Sequence, residues 1–319
     1  MTSASGPGTW DLRPGTWDLG RVTSTTVGAK YLRTRAVSWR VCRVGDFETD
    51  TAVQGCDGHY RARLSRDWEI WGPNGGYVAA IALRAAGHAT PFRRPATFTA
   101  HYLAVGAFEE VDLKVVVLRQ TKRAAAVRVS MQQGERLLLE GVAWVVDDVP
   151  GLEHDFAAMP EVPPPHTLKP IEELIAGEEV KAPYPFWQNL ESRPIDWVHW
   201  SKRQPGKPEW REWYRFRPRS AFDDPFVDAA RSLLLIDTMV WPACCRAYPM
   251  GGAGYIAPSL DVSAQFHRLA PESEWLLVEA ASPVATQGLI GGHARVWSED
   301  GKLLASGGTQ LFCRPVSPP

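Results

Sequence analysis

Asp237 is the residue whose position in the sequence points most directly to chemistry. It lies in the apolar stretch 226–241, which follows Asp224-Pro225, a pair typical of a helix N-cap and first turn. With about 100° of rotation per helical residue, Asp237 falls on the same side as Leu233. A carboxylate on an apolar helix face costs several kcal/mol unless other interactions compensate for it. We therefore predict a functional carboxylate at this position.

The other side of the same helix carries polar residues, and the pattern predicts that it faces solvent. These residues are Asp228, Arg231, Ser232 and Thr238. Asp228 then serves as the comparison for Asp237, because it is the same residue type on the opposite side of one helix. The alternative is that the helix is exposed around Asp237 as well, and that this carboxylate is simply solvated.

A second candidate group lies where another helix is expected to begin. Asn74, Gly75 and Gly76 precede the apolar run 77–88, whose composition predicts a buried helix. Free N–H groups and the dipole at a helix start attract an oxygen that carries developing negative charge. Glycine also allows a ligand to approach the backbone closely. The alternative is a tight turn with no binding role.

No other pattern in the chain indicates a cofactor. Residues 252–257 fit GxGxxA, but they follow a predicted helix and precede a strand, the reverse of a dinucleotide-binding motif. The five cysteines have no CxxC spacing, and the eight histidines have no metal-ligand spacing such as HExxH. We expect no metal and no redox cofactor.

The composition excludes several classes of partner. The chain has 319 residues, of which 45% are apolar and 22% charged, as in ordinary globular proteins. A net charge of −1 gives no electrostatic reason for binding nucleic acid or a membrane surface. No apolar run reaches the roughly 18 residues of a transmembrane helix. We predict a cytoplasmic protein with neither of those partners, because its odd number of cysteines also suits a reducing compartment.

The elements that must position these residues fall into two patterned units. The first unit is 46–148 and the second unit is 186–314, and each shows a strand, one long helix and then several antiparallel strands. A strand is also expected over 47–53. Residues 1–45 have a biased composition and are predicted to be a disordered extension. The proline-rich segment 149–185 is predicted to be a linker with one short helix at 171–176, and 315–319 a tail.

The two units align with each other. Arg128 and Gly134 match Arg295 and Gly301 at a constant offset of 167, and the segment 99–102 is echoed by 263–266. In each unit the apolar helix must be buried against the antiparallel sheet. Two such units side by side extend one sheet and leave a cleft at their junction. The predicted fold is therefore an α+β double hotdog.

The segment 71–80, Trp-Gly-Pro-Asn-Gly-Gly-Tyr-Val-Ala-Ala, resembles the helix start of acyl-CoA thioesterase II (TesB-like) proteins. Residues 258–261, 266–268 and 300–306 resemble the second half of that family, so that the resemblance covers about 46–314. It implies hydrolysis of acyl-CoA to free acid and coenzyme A, with acyl-CoA as the small-molecule substrate and a homodimer of double-hotdog subunits. The alternatives are a non-catalytic acyl-CoA-binding hotdog protein and a hotdog enoyl-CoA hydratase.

The resemblance also implies roles for individual residues. The family uses Asp, Thr or Ser, and Gln to hold the attacking water, and Asp237, Ser259 and Gln310 supply these types in that order. The amides near Gly75 and Gly76 would polarise the thioester carbonyl. We therefore predict that these residues form one site.

The assignment of the glutamine depends on the register of the last strand. By the offset of 167, the first-unit counterpart of Gln310 is Ala143, so the polar side chain belongs to the second unit alone. An ungapped alignment from Arg314 places Thr309 at the family's glutamine position. Gln310 is selected for its side-chain chemistry, although a slip of one residue would reverse the face of the sheet.

Overall fold

The computed structural model describes residues 44–176, 184–198, 202–249 and 251–316. The predicted extension 1–45 lies outside the described residues except for its last two. Of these, Gly45 is buried and donates its N–H to Asn189 Oδ1 at 2.8 Å. The predicted tail is described as far as Val316.

Two long helices and a large antiparallel sheet dominate the described chain. The helices are α1 (Phe47–Asp50), α2 (Gly75–His88), α3 (Ile171–Leu174) and α4 (Pro225–Cys245). The strands are β1 (Gln54–Cys56), β2 (His59–Arg63), β3 (Arg94–Tyr102), β4 (Glu110–Gln120), β5 (Ala124–Gln133), β6 (Arg136–Val146), β7 (Leu190–Pro194), β8 (Glu209–Phe216), β9 (Tyr255–Ile256), β10 (Asp261–Phe266), β11 (Trp275–Thr286), β12 (Leu289–Ser298), β13 (Leu303–Phe312) and β14 (Arg314–Pro315). In the ranges described, no helix is at once long and apolar enough to cross a lipid bilayer.

Twelve strands form one sheet in the order β1-β2-β4-β5-β6-β3-β10-β13-β12-β11-β8-β7. The first unit contributes β2-β4-β5-β6-β3, and the second contributes the same sequence of elements in mirror order, β10-β13-β12-β11-β8. They join where β3 pairs with β10, and Thr99 lies opposite Ser263, its counterpart in the internal repeat. This architecture confirms the α+β double hotdog.

The helices α2 and α4 run antiparallel and touch at glycines. A Cβ added to Gly76 would lie 2.6 Å from Leu234 Cα, and one added to Gly87 would lie 2.8 Å from the ring of Phe226. At Gly76 the close atoms are main chain, so a side chain there would push the helices apart, whereas at Gly87 the ring of Phe226 would have to move. The start of α2 is therefore held against the middle of α4, and its end against the start of α4.

The polar side of α4 is buried, and the prediction that it faces solvent is wrong. Arg231 is completely buried and forms an ion pair with Asp228, which is also buried. Its guanidinium also donates to the carbonyl oxygens of Ser220, Ala270 and Ser273. Loops therefore cover this side of the helix, and the arginine satisfies their carbonyl groups.

Three shorter predictions also differ from the structure. The expected strand over 47–53 is instead α1, because the side chain of Asp46 accepts the Thr49 N–H at 2.9 Å and caps a helical turn. In the described part of the segment 149–185 there is no strand, and α3 is shorter than predicted. Trp213 Nε1 donates to the carbonyl oxygen of Pro163 at 3.0 Å, so this segment packs on β8. At the other end, Pro315 of the predicted tail belongs to β14, which pairs with β9.

Candidate active site

The carboxylate of Asp237 is buried at the junction of the two units, where three hydrogen-bond donors face it. Only 3% of the residue is exposed. The Tyr102 hydroxyl donates to Oδ1 at 3.2 Å. The Ser259 hydroxyl and the Gly76 N–H also face the carboxylate and favour its ionised form. These donors come from β3, from the segment before β10 and from α2, so both units contribute to the site.

The surroundings of Asp237 change its affinity for protons. Burial raises its pKa from 3.8 to about 6, and the nearby charge of Asp261 acts in the same direction. The hydrogen bonds from Ser259, Tyr102 and Gly76 oppose this rise, because they stabilise the ionised form. A carboxylate with a pKa of about 6 is largely ionised at neutral pH and is basic enough to accept a proton from water.

Asn74 fixes the start of α2 next to this carboxylate. As the N-cap, its Oδ1 accepts the Tyr77 N–H at 2.9 Å, and its Nδ2 donates to Thr238 Oγ1 on α4 at 3.1 Å. Its own N–H donates to the carbonyl oxygen of Trp68 at 2.9 Å. The structure therefore places Asn74 in the lining of the site, with its polar groups engaged in holding the two helices together.

The two glycines after Asn74 have different surroundings. A Cβ on Gly75 would lie 2.8 Å from Asp237 Oδ2 and 3.1 Å from Tyr102 Cζ, so a side chain here would disturb the carboxylate. The Gly76 N–H is already directed at Asp237. Within the part of the chain that the structure describes, the Gly75 N–H has no hydrogen-bond acceptor, and Gly75 lines the cavity. Its amide is therefore available to a ligand.

Ser259 reaches Asp237 from the segment that precedes β10. It forms an isolated antiparallel bridge with Leu311 of β13, and its hydroxyl lies within hydrogen-bonding reach of the carboxylate. The structure thus brings together four of the residues named from the sequence, Asp237, Ser259, Gly75 and Gly76.

The side chain of Gln310 does not line the cavity, and the expectation that it belongs to the site is corrected. Its neighbour Leu311 lines the cavity. Its other neighbour, Thr309, pairs with Gly292, and a Cβ added to Gly292 would lie 2.3 Å from Val240 of α4. Both neighbours of Gln310 therefore lie on the α4 side of the sheet. Because successive residues of a strand face opposite sides of the sheet, Gln310 faces away from α4. There its Oε1 lies 3.4 Å from a Cβ placed on Gly291 of β12.

The main chain of Gln310 still contributes to the site. Its N–H donates to Asp261 Oδ1 at 2.8 Å, and its carbonyl oxygen accepts the Leu260 N–H at 2.7 Å. The hydroxyl of Thr309 donates to the carbonyl oxygen of Asp261 at 2.6 Å. These three bonds hold the segment that carries Ser259 against β13.

Tyr102 is the site residue that the sequence reasoning missed. It ends β3 and lies 3.2 Å from Asp237, and the internal repeat contained the signal that could have found it. In that repeat Tyr102 corresponds to Phe266, so the hydroxyl occurs in the first unit alone. The asymmetry that drew attention to Gln310 and Ala143 applies equally to this pair.

A cavity of about 420 Å³ is lined by Asn74, Gly75, Tyr102, Asp237 and Ser259 among others. Its walls are mostly apolar and combine aromatic with aliphatic side chains. They include the tryptophans Trp71, Trp187 and Trp241 and the leucines Leu103, Leu260 and Leu311. Among the described lining residues Asp237 carries the sole acidic or basic side chain, and none is a histidine. In the same described ranges, no cluster of His, Cys, Asp or Glu side chains has the arrangement of a metal site.

The double-hotdog fold brings an acid and a helix-start amide to one apolar cavity, an arrangement suited to thioester hydrolysis. The chain belongs to the acyl-CoA thioesterase family. Residues 64–146 match the acyl-CoA thioesterase N-terminal domain, and residues 155–312 match the acyl-CoA thioesterase C-terminal domain. The resemblance to TesB-like acyl-CoA thioesterases is thereby confirmed.

Individual relatives agree with this assignment. Human acyl-coenzyme A thioesterase 8 is 26% identical over 213 residues, which are 60% of this chain and 66%, slightly under two thirds, of the relative. The solved structure of the TesB protein of Mycobacterium avium subspecies paratuberculosis superimposes with a TM-score of 0.70 at 21% identity, covering 85% of this chain and 99% of that one. Acyl-CoA thioesterase II TesB2 from Mycobacterium marinum gives 0.69 at 21% identity, with the same coverage. At this identity, the structural likeness concerns the fold.

Proposed function

We propose that this protein hydrolyses acyl-CoA to a free acid and coenzyme A by direct attack of water, with Asp237 as the general base. The observation that carries the proposal is the buried, hydrogen-bonded carboxylate of Asp237 beside the uncommitted N–H of Gly75 in one apolar cavity. A base for the water and a donor for the carbonyl oxygen are the two groups that thioester hydrolysis requires.

In the first step, Asp237 and Ser259 hold the water. A carboxylate offers four lone-pair sites, and the Tyr102 hydroxyl occupies one of them, so sites remain for the water. Asp237 takes a proton from this water, and the water oxygen adds to the thioester carbon. The Ser259 hydroxyl orients the water because it lies next to the same carboxylate.

The oxyanion that forms is stabilised at the start of α2. The Gly75 N–H donates to it, and the positive end of the helix dipole favours its negative charge. When the intermediate collapses, the carbon–sulfur bond breaks and coenzyme A leaves as a thiolate, which takes the proton held by Asp237. Thiols ionise near pH 8.5, so a thiolate is a good leaving group.

The acyl group is proposed to be apolar and uncharged along its length. The cavity walls are formed by tryptophans and aliphatic side chains, and no basic residue among those described lines them. An acyl chain that ends in a carboxylate would bury a charge without a partner, which costs several kcal/mol. We expect higher kcat/KM for a monocarboxylic acyl-CoA than for a dicarboxylic acyl-CoA of equal length.

The proposed activity is tested by incubating the purified protein with a series of acyl-CoAs and a thiol-reactive dye. Release of thiol that depends on the protein supports hydrolysis. Tight binding of acyl-CoA without release would favour the non-catalytic binder instead. Hydration of an enoyl-CoA would favour the hydratase, although that chemistry usually employs a histidine, and the described lining of this cavity has none.

We also propose a cytoplasmic location and a homodimeric assembly. The four described cysteines, Cys56, Cys244, Cys245 and Cys313, are all free thiols, which suits a reducing compartment. The homodimer follows from the family resemblance. Cell fractionation tests the location, and sedimentation velocity tests the oligomeric state.

A further inference from the structure

We propose that Tyr102 is a positioning residue for catalysis, which keeps the Asp237 carboxylate ionised and oriented toward the water. This inference rests on the proposed function, because it assigns a task to the general base of that reaction. Tyr102 ends β3 of the first unit, whereas Asp237 lies on α4 of the second, so the hydrogen bond joins the two units at the site.

The first argument is that the strand side chain expected to perform this task does not reach the carboxylate. Gln310 faces away from α4, and the hydroxyl of Thr309 is engaged by the carbonyl oxygen of Asp261 at 2.6 Å. The Tyr102 hydroxyl, 3.2 Å from Asp237 Oδ1, is the side-chain donor that accompanies Ser259 at this carboxylate.

The second argument is that the tyrosine is held in place. Its ring packs on Gly75, where an added Cβ would lie 3.1 Å from Cζ and 3.3 Å from the hydroxyl oxygen. Burial raises the pKa of Tyr102 well above 10, and the charge of Asp237 and the hydrogen bond to it raise that pKa further. The hydroxyl therefore keeps its proton at neutral pH and can donate it to the ionised Asp237 carboxylate.

The consequence concerns the pH dependence of the base. The groups that face Asp237 are the hydroxyls of Tyr102 and Ser259, the Gly76 N–H and the charge of Asp261. Ser259, Tyr102 and Gly76 support the ionised carboxylate, whereas burial and the charge of Asp261 oppose it. A hydrogen bond to a charged group is strong enough that its loss should move the pKa of the carboxylate upward by about one to two units.

The test is Tyr102→Phe, which removes the hydroxyl and keeps the ring on Gly75. The matched control is Tyr214→Phe, because Tyr214 likewise donates to a buried carboxyl, Glu212 Oε2 at 2.7 Å, but lies outside the cavity lining. We expect the acid limb of kcat/KM to move upward by about one to two pH units in Tyr102→Phe, with activity recovering at higher pH, and not to move in Tyr214→Phe. An unmoved limb in Tyr102→Phe would overturn the proposal, whatever happens to the rate.

A direct titration separates this proposal from that of hydrolysis. The carboxyl of Asp237 can be followed by infrared difference spectroscopy against pH, with Asp237→Asn identifying its band. A higher pKa of this band in Tyr102→Phe than in the wild type supports the role of Tyr102 even if no acyl-CoA is hydrolysed. An equal pKa in the two proteins refutes it even if hydrolysis is observed.

Discussion

Asp237→Asn is the substitution that most directly tests the reasoning about the site. It removes the proposed base and preserves the size of the side chain. General-base assistance is typically worth about 10²–10⁴ in rate, so thiol release from acyl-CoA should fall by that range. Binding of acyl-CoA should persist, because the cavity walls and the Gly75 N–H are unchanged.

The same substitution should change stability in a pH-dependent way. In the wild type, the pKa of Asp237 rises from 3.8 to about 6 on folding, chiefly through burial. The folded state therefore binds a proton more tightly than the unfolded chain, so this contribution to stability is fully present below about pH 4 and is lost as the pH rises to about 6. The loss amounts to about 3 kcal/mol, since each pKa unit corresponds to about 1.4 kcal/mol.

An amide resembles the protonated acid, because each has one acceptor oxygen and one donor group. Asp237→Asn should therefore match the wild type near pH 4 and exceed its unfolding free energy by up to about 3 kcal/mol near pH 8. Urea denaturation at the two pH values measures this difference. A variant that is less stable than the wild type near pH 8 would show that the site favours the ionised carboxylate, and the reasoning from burial would be wrong.

The matched control is Glu212→Gln. Glu212 is 3% exposed on β8 and lies outside the lining of the cavity, and burial raises its pKa to about 7. This variant should show the same direction of pH-dependent stabilisation and retain hydrolysis. Near-wild-type hydrolysis by Asp237→Asn would remove the general base from the proposed mechanism.

Three further substitutions separate packing from chemistry. Gly76→Ala should lower the unfolding free energy by about 1–3 kcal/mol in urea denaturation, because its Cβ would lie 2.6 Å from Leu234 Cα. Gly75→Ala should lower kcat strongly and the melting temperature only slightly, because its Cβ would lie 2.8 Å from Asp237 Oδ2. If the two glycine variants lost the same amount of kcat and of melting temperature, this separation of packing from chemistry would be wrong. Ser259→Ala should lower kcat by about tenfold to a hundredfold with little change in KM, as expected for the loss of one hydrogen bond near a charge, and an unchanged kcat would exclude Ser259 from orienting the water.

The long elements and the central residue of the site could be predicted from local patterns. The apolar runs of α2 and α4 and the internal repeat were sufficient for the double hotdog, because a duplicated strand-helix-strand order has few ways to bury its helices. Asp237 stood out because a carboxylate within an apolar run is rare. Gly75 and Gly76 were recognised by type, although the reason for the second glycine, contact with Leu234, depends on the tertiary packing of two helices.

The predictions from sequence failed where a shift of one residue in strand pairing, or a loop that covers a helix, determines which side chains are buried. Gln310 and Thr309 are adjacent on β13, and their faces are determined by the pairing with β12, which the sequence pattern does not specify. Arg231 was expected in solvent because it is charged, yet three loop carbonyls and Asp228 satisfy it in the interior. A polar side chain needs hydrogen-bond partners, and the tertiary structure determines whether protein groups or water molecules supply them.

The antiparallel crossing of α2 and α4 shows what became of the second site that a duplication creates. Asp237 is the thirteenth residue of α4, which starts at Pro225, and the thirteenth residue of α2, which starts at Gly75, is Gly87. At this equivalent point there is no carboxylate, and the ring of Phe226 occupies the space that a Cβ on Gly87 would need.

Two identical subunits could not divide their roles in this way, since every substitution in a symmetric dimer occurs at both sites at once. A chain that contains both halves can inherit a change in one half alone. The first half can then keep the amide and lose its acid, while the second keeps the acid and fills its own helix start with an aromatic ring. Gene fusion thereby converts a pair of equal sites into one site and one packed contact, and it allows each half to evolve under a different selective constraint.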